Sequence, residues 1–374
     1  MTESPYDVTY LTVDSVREGV GSSQIVPVLN GISQSGLKVK LISFEKQKPE
    51  VSLQKNLRDQ GIDWTFIEFS KFGPVAGLQR VLKLSKSVPP TSIIHGRSEL
   101  ATMAGILSQK SPVLWDVRSL WNEQRGFLAQ SPFEKYVYKK LKIIEDFCSL
   151  KSGGISTLTH AVIPVLEERH KDLPINRIVV ATNVDLKRFS LSSYFPQTTK
   201  ALYSGTYNGY YDLKLSKDFL DALRRLIAID VHWARPAESK IQSLNAGEDY
   251  IFTARQQEMA MVIPEYSFGL SICKLDSGPS LSAAMPTKVA EFLASGRPIA
   301  INKGLGDLPS IIREFDVGVV LDESADTIEQ CANKMVELLS DSSTPNRCRA
   351  AAEKYFNLEL GIDRYISMYR ALTN

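Results

Sequence analysis

Cysteine is scarce in this 374-residue chain: Cys148, Cys273, Cys331 and Cys348 are the only four, and no two form a C-x-x-C pair. Histidine is as rare, with four residues, none at a spacing that completes a metal site with them. Zinc ribbons and dithiol redox motifs are therefore disfavoured, and sparse thiols suit a reducing compartment. No apolar run approaches the roughly 20 residues of a membrane span. The start, MTESPYDVTYLTV, lacks the basic and then apolar regions of a secretory leader. Surplus charge is missing too: 44 basic against 42 acidic residues leave a net +2, less than a dedicated nucleic-acid binder carries. The expectation is a cytoplasmic protein, at most peripheral on the inner face of a membrane, with no nucleic-acid partner.

What is present is an ordinary folded composition, 43% apolar and 23% charged, in a length that suits two domains. Short β-rich runs alternate with amphipathic helical ones. Strands are expected at 6–13, 38–44, 64–69, 92–95, 113–117, 155–158 and 178–181, and again at 201–204, 229–233, 250–253, 270–273, 298–301 and 318–321. Helices fit between them, among them 24–35, 99–109, 133–150, 160–168, 215–226, 238–244, 256–262, 286–294 and 308–314. Glycine stops several of these, as Gly36 and Gly61 do. Such alternation implies right-handed βαβ crossovers and parallel sheets. The stretch 187–200, rich in Ser, Pro and Thr, breaks the rhythm, and the tail reads as three helices at 327–339, 345–355 and 361–372. The expected fold class is α/β: two tandem Rossmann-like doubly wound domains with a helical tail. Their expected extents are 1–186, a linker 187–200, 201–358, and a last helix 359–374 returning to the first domain. Ligands of such sheets bind at the carboxyl ends of the strands, so two domains suit a reaction between two substrates, or a binding protein that closes on one.

Four segments can carry chemistry. Glu18-Gly19-Val20-Gly21-Ser22-Ser23-Gln24 joins the first strand to its helix; its glycines would let backbone N–H groups approach an anion at a helix start. It is not G-x-G-x-x-G, since Gln24 takes the third glycine position, nor a Walker A loop. That weighs against a dinucleotide-dependent oxidoreductase, for which Glu45 would be the ribose acid. The plain alternative is a capped turn; the ligand reading predicts that Gly21→Val cuts turnover with little effect on melting. Trp115-Asp116-Val117-Arg118-Ser119-Leu120-Trp121-Asn122-Glu123-Gln124-Arg125 packs two Arg, two acids and two Trp behind an apolar strand start, chemistry suited to sugar hydroxyls and phosphates; surface ion pairs are the alternative. Asn183-Val184-Asp185-Leu186-Lys187-Arg188-Phe189 follows another strand and reads also as an Asx turn. Finally, Pro286-Thr287-Lys288-Val289-Ala290-Glu291-Phe292-Leu293-Ala294-Ser295-Gly296-Arg297-Pro298 is a helix with Pro at its start and Gly at its stop. It sets Lys288 and Glu291 on one face, to hold a diphosphate and ribose hydroxyls.

This last segment resembles the donor helix of retaining glycosyltransferases of the GT-B fold, the large family 4 type, whose pattern is Pro-x-Lys-x-x-Glu-x-x-Ala-x-Gly-x-Pro-Val. The 183–189 segment is similar to their Asn-x-Val-Asp-x-x-x-Phe, one residue shorter, and the first to their glycine loop. Gly21-Ser22-Ser23-Gln24 with Ile42-Ser43-Phe44-Glu45-Lys46, and the partial match of Asp116, Arg118, Glu123 and Arg125, resemble a bacterial subgroup that builds surface polysaccharides. The resemblance implies transfer, with retention, from a nucleotide-diphosphate sugar to a glycan or lipid-linked acceptor. In it the leaving diphosphate helps to remove the acceptor proton, and neither metal nor separate cofactor is needed. Asp116, Arg118 and Glu291 would be catalytic; Gly19, Gly21, Ser22, Gly205, Thr206, Pro286, Thr287, Lys288 and Glu291 donor-binding; Glu123, Arg125 and Asn183 acceptor-binding. Two features depart from the family: the first of its paired Glu residues falls on Ala283, and its Arg and Lys after the first strand of the second domain are missing from 205–214, which leaves Lys288, Lys214 or backbone N–H groups for the diphosphate. Both features suit the alternative of an inactive nucleotide-sugar binder on the same fold. Lys135, Lys139, Lys140 and Lys142 among apolar residues of 133–150 would suit an anionic membrane surface.

Overall fold

Each β-rich run read from the sequence becomes a strand of one of two parallel sheets in the computed structural model, which describes residues 4–17, 19–69, 73–205, 209–236 and 249–373. The first sheet holds β1 (Tyr6–Leu11), β2 (Val39–Glu45), β3 (Ile62–Glu68), β4 (Thr91–Arg97), β5 (Val113–Val117), β6 (Gly154–Thr157) and β7 (Asn176–Val179), in the order β3-β2-β1-β4-β5-β6-β7. The second holds β8 (Lys200–Ser204), β9 (Asp230–Arg235), β10 (Tyr250–Thr253), β11 (Phe268–Ser271), β12 (Ile299–Asn302) and β13 (Gly318–Leu321), in the order β10-β9-β8-β11-β12-β13. Strands such as Ile299-Ala300-Ile301 are buried on both faces, which is why they read as apolar runs rather than as alternation. The chain thus has the doubly wound α/β fold twice. The helix expected at 238–244 lies outside the described residues.

One unit takes in the chain up to Ala181 and resumes at Leu358; the other is Thr182–Asn357. In the first, one sheet face is covered by the helix Val26–Gln34 and by the C-terminal helix Leu358–Thr373, through Val28, Leu29, Ile32, Ile362 and Ile366. The other face meets Pro74–Ser87 and Ser98–Ser108 through Val81, Leu84, Ala101 and Ala104. In the second, Leu213–Arg224 and Ala325–Ser340 bury Phe219, Leu220, Leu223, Ala332 and Met335 against the sheet. The stretch 187–200 packs within that unit: Arg349 donates to the carbonyls of Leu186 and Phe189, and Arg297 to Ser192.

Three local readings change. The first helix opens with one wide turn, Gly21–Ile25, in which Val26 N–H reaches back to the Gly21 carbonyl. The span 133–150 is two helices, Pro132–Lys140 and Lys142–Lys151, separated at Leu141. Pro286 precedes its helix, Thr287–Ala294, instead of opening it.

Candidate functional site

In the second unit the strand order reverses at β8, which pairs with β9 on one side and β11 on the other. Ligands of such sheets bind outside the carboxyl ends of these strands. The helix Thr287–Ala294 is set there by Gly269 of β11: a Cβ at that position would lie 2.6 Å from the Phe292 ring, so only glycine lets helix and strand come this close. Val289, Ala290, Phe292 and Leu293 form its buried stripe. Val289 N–H reaches the Pro286 carbonyl, and Thr287 shares a hydroxyl hydrogen bond with Thr182 at 3.1 Å.

Lys288 projects from the first turn over the carboxyl end of β8. Its Nζ lies 4.4 Å from the centre of the Tyr211 ring, and it is the nearest atom, at 3.8 Å, to where a Cβ on Gly205 would stand. Gly205 has φ of +108°, and its carbonyl accepts from Trp233 Nε1 at 3.0 Å. Among the described residues Lys288 forms no salt bridge. A cation, a glycine backbone and the N-terminus of an eight-residue helix therefore converge at the switch point, an arrangement suited to a diphosphate. Lys214 is not part of it: it is exposed and lies 3.8 Å from Asp218 on the surface of its own helix. Thr206 lies outside the described residues.

Glu291, one turn on from Lys288, is 5% exposed. Burial pushes its carboxyl up to about 7 against the pull of Gln256, Arg188 and Lys288. Gln256 Nε2 donates to Glu291 Oε1 at 2.5 Å, and Arg188 Nη2 to the Gln256 carbonyl at 2.6 Å. The sequence reading missed Gln256, which lies 35 residues from its partner. Arg188 stood in the 183–189 segment but without a role, and Asn183 of that segment is buried. Ala283, where the family would place its other acid, is buried as well.

In the first unit the order reverses at β1, between β2 and β4. The loop after β1 is braced from β2: Glu45 accepts from Val16 N–H at 2.9 Å and from the hydroxyls of Ser43 and Ser15. Glu45 is thus engaged in holding the loop instead of facing a ribose. Gly21 is buried against that loop, and a Cβ there would lie 1.9 Å from the Ser15 carbonyl oxygen and 2.6 Å from Val16 Cα. Its glycine has a packing cause, which corrects the expectation that Gly21→Val leaves melting unchanged. Gly19 has φ of +57° with open space around it; the Ser22 and Ser23 hydroxyls donate to its carbonyl.

Asp116 and Arg118 are brought together, but inside the unit. Asp116, 1% exposed at the end of β5, accepts from Arg118 Nε at 2.6 Å, Ser156 Oγ at 2.5 Å and Tyr365 OH at 3.3 Å. His95 Nε2 stands 3.2 Å away and Arg97 Nη1 3.9 Å. Arg118 also donates to Tyr365 OH, and His95 Nδ1 shares a hydrogen bond with Tyr369 OH at 2.6 Å. Burial alone would raise the Asp116 carboxyl; Arg118, His95 and Arg97 outweigh it and hold the group well below the usual range. This geometry fits a hub that fixes the C-terminal helix and orients Arg118. Glu123 is not on the hub: Arg169 Nη2 donates to it at 2.8 Å. Arg125 is exposed on the helix Trp121–Leu128.

No family model matches the sequence, and no curated protein is similar to it in sequence. The fold has counterparts among solved structures. Sucrose-phosphate synthase from Thermosynechococcus elongatus matches with a TM-score of 0.71 at 13% identity, over 98% of this chain and 99% of that one. A glycosyltransferase from Rickettsia africae matches with a TM-score of 0.69 at 14% identity, over 98% of each. Anabaena HepE, solved in complex with UDP-glucose, matches with a TM-score of 0.68 at 10% identity, over 98% of this chain and 100% of that one. The structural neighbours of this chain are GT-B glycosyltransferases, and it shares their pair of parallel-sheet α/β domains.

Proposed function

We propose that the protein is a glycosyltransferase that takes its sugar from a nucleoside-diphosphate sugar. The observation that carries this reading is the pairing of Lys288 with Glu291 on one helix at the β8/β11 switch point, beside Gly205. Lys288 and the helix N-terminus take the diphosphate, and Glu291, when ionised, accepts from the ribose hydroxyls. Charge that develops on the leaving diphosphate is stabilised by donors already in place, so no side-chain nucleophile is required. The transfer proceeds with retention, the diphosphate assisting removal of the acceptor proton. By the same resemblance Gly19 and Ser22 serve the donor, and Glu123, Arg125 and Asn183 the acceptor, a glycan or lipid-linked saccharide of polysaccharide or glycolipid synthesis. Asp116 and Arg118 act on the reaction by positioning. No metal or further cofactor enters the scheme.

Isothermal calorimetry with UDP, GDP and their sugars identifies the donor, and a donor-hydrolysis assay follows turnover. Binding that depends on Lys288 together with slow hydrolysis is the expected result. Binding with no hydrolysis and no transfer to any saccharide acceptor would place the protein among non-catalytic binders.

A further inference from the structure

We propose that the outer face of the helices Pro132–Lys140 and Lys142–Lys151 in the first unit docks on an anionic lipid surface. Phe133, Tyr136, Lys140, Ile143, Phe147 and Leu150 follow one another at steps of three and four, one stripe along two nearly continuous helices. Backbone hydrogen bonds on both sides of Leu141, from Leu141 N–H to Val137 and from Ile144 N–H to Leu141, keep the stripe in register. Phe133 is 74% exposed, Tyr136 59%, Ile143 69% and Leu150 56%. The opposite side is anchored: Tyr138 meets the Trp121 ring edge-on at 5.7 Å, and Glu145, Cys148 and Ser149 are buried. No helix among the described residues is long and apolar enough to cross a membrane, so the contact is with a surface.

Charge selects the occupant. Lys135, Lys139, Lys140, Lys142 and Lys151 accompany the stripe, and none forms a salt bridge among the described residues. The acids that would neutralise them in the sequence are engaged elsewhere. Glu134 closes a capping box with Ser131 and accepts from Gln130 N–H at 3.0 Å. Glu145 is buried against His170 at 2.8 Å and Arg169 at 3.5 Å, and Asp146 lies 3.0 Å from His170 Nδ1. Exposed aromatic and aliphatic side chains interleaved with lysines that no described carboxylate pairs, Lys140 lying over the Tyr136 ring at 5.4 Å, fit the headgroup region of an anionic bilayer, and the inference stands apart from the donor reading.

The test is sedimentation of the whole chain with phosphatidylglycerol–phosphatidylcholine vesicles, with pure phosphatidylcholine vesicles as the comparison. Binding to the anionic vesicles alone is expected, with a loss of tenfold or more between about 0.01 M and about 1 M salt as the screening length falls from about 30 to about 3 Å. Two variants carry the assignment, Lys135→Glu with Lys139→Glu and Lys140→Glu, and Phe133→Ser with Ile143→Ser. Each is expected to weaken binding severalfold at an unchanged melting temperature; should one set unfold, the other decides. Equal binding to neutral vesicles, no binding at low salt, or variants that sediment like the parent overturn the proposal. So does a change in elution volume on gel filtration in either variant, which would make this face a contact between copies of the chain.

Discussion

Gln256 Nε2 donates to Glu291 Oε1 across 2.5 Å, so a residue beyond β10 holds the acid of the donor helix. The contact is made from outside that helix, and it bears on which protonation state Glu291 adopts. Burial lifts Glu291 from 4.5 to about 7, so the folded chain holds this proton more tightly than the unfolded one. Its stabilising contribution is full below pH 4.5 and is lost as pH rises to about 7. Glu291→Gln is therefore expected to stabilise the fold at pH 8 by about 1–3 kcal/mol, with little change near pH 4. The same variant loses nucleotide affinity, and parental affinity falls on acidification below about 7. Urea melts at the two pH values and calorimetry with UDP check both. A variant that binds as the parent does removes Glu291 from the site.

Lys288→Met is expected to weaken nucleoside-diphosphate binding by about 1.5–3 kcal/mol, the scale of a hydrogen bond to a charged group. Affinity for the bare nucleoside should not change, because the cation meets the phosphates. Titrating uridine and UDP into parent and variant separates the two. Equal losses for both ligands would contradict the assignment.

Asp116→Ala leaves two buried guanidiniums without the carboxylate they share, and is expected to destabilise the first unit by about 3–5 kcal/mol. Tyr365→Phe removes one donor and should cost about 1 kcal/mol. Since the two groups touch, the double variant should lose less than the sum. Because the folded carboxyl sits below its ordinary 3.8, its contribution is present above that pH and fades as pH falls further. Denaturant melts from pH 7 to pH 3 follow it.

At the first loop, Gly21→Val is expected to destabilise by several kcal/mol, since its Cβ would overlap the Ser15 carbonyl. Gly19→Ala meets no neighbour and bears only the backbone cost of φ of +57°, about 1 kcal/mol. If Gly21→Val melts like the parent, the loop is not braced as described.

Thirteen strands were legible because strands covered on both faces read as apolar runs bounded by Gly, Pro and Ser. Pro74–Ser87 was not. Its Val81 and Leu84 face the core while Leu78 and Leu82 are exposed, so apolar residues on both sides blur the helical period. Trp121–Leu128 looked like a ligand loop because its charges outnumber its buried residues; only Asn122 is buried. Lys288 and Glu291 were legible as neighbours because a helix sets their spacing locally. The Asp116 hub was not, since Tyr365 lies 249 residues away in the chain, and no local pattern announces a partner at that range.

The return of Leu358–Thr373 to the first unit has a consequence for synthesis. Seven strands leave the ribosome long before the helix that completes their cover, and the whole of Thr182–Asn357 is made in the interval. At about 5–20 residues per second the gap is roughly 10–35 s. Throughout it the part of that sheet face which Leu358–Thr373 covers, beside Val26–Gln34, lies bare, and His95 and Asp116 wait for Tyr369 and Tyr365. The segment translated second thus has its full sequence first, and the nascent first unit is a natural client for a chaperone that shields exposed sheet.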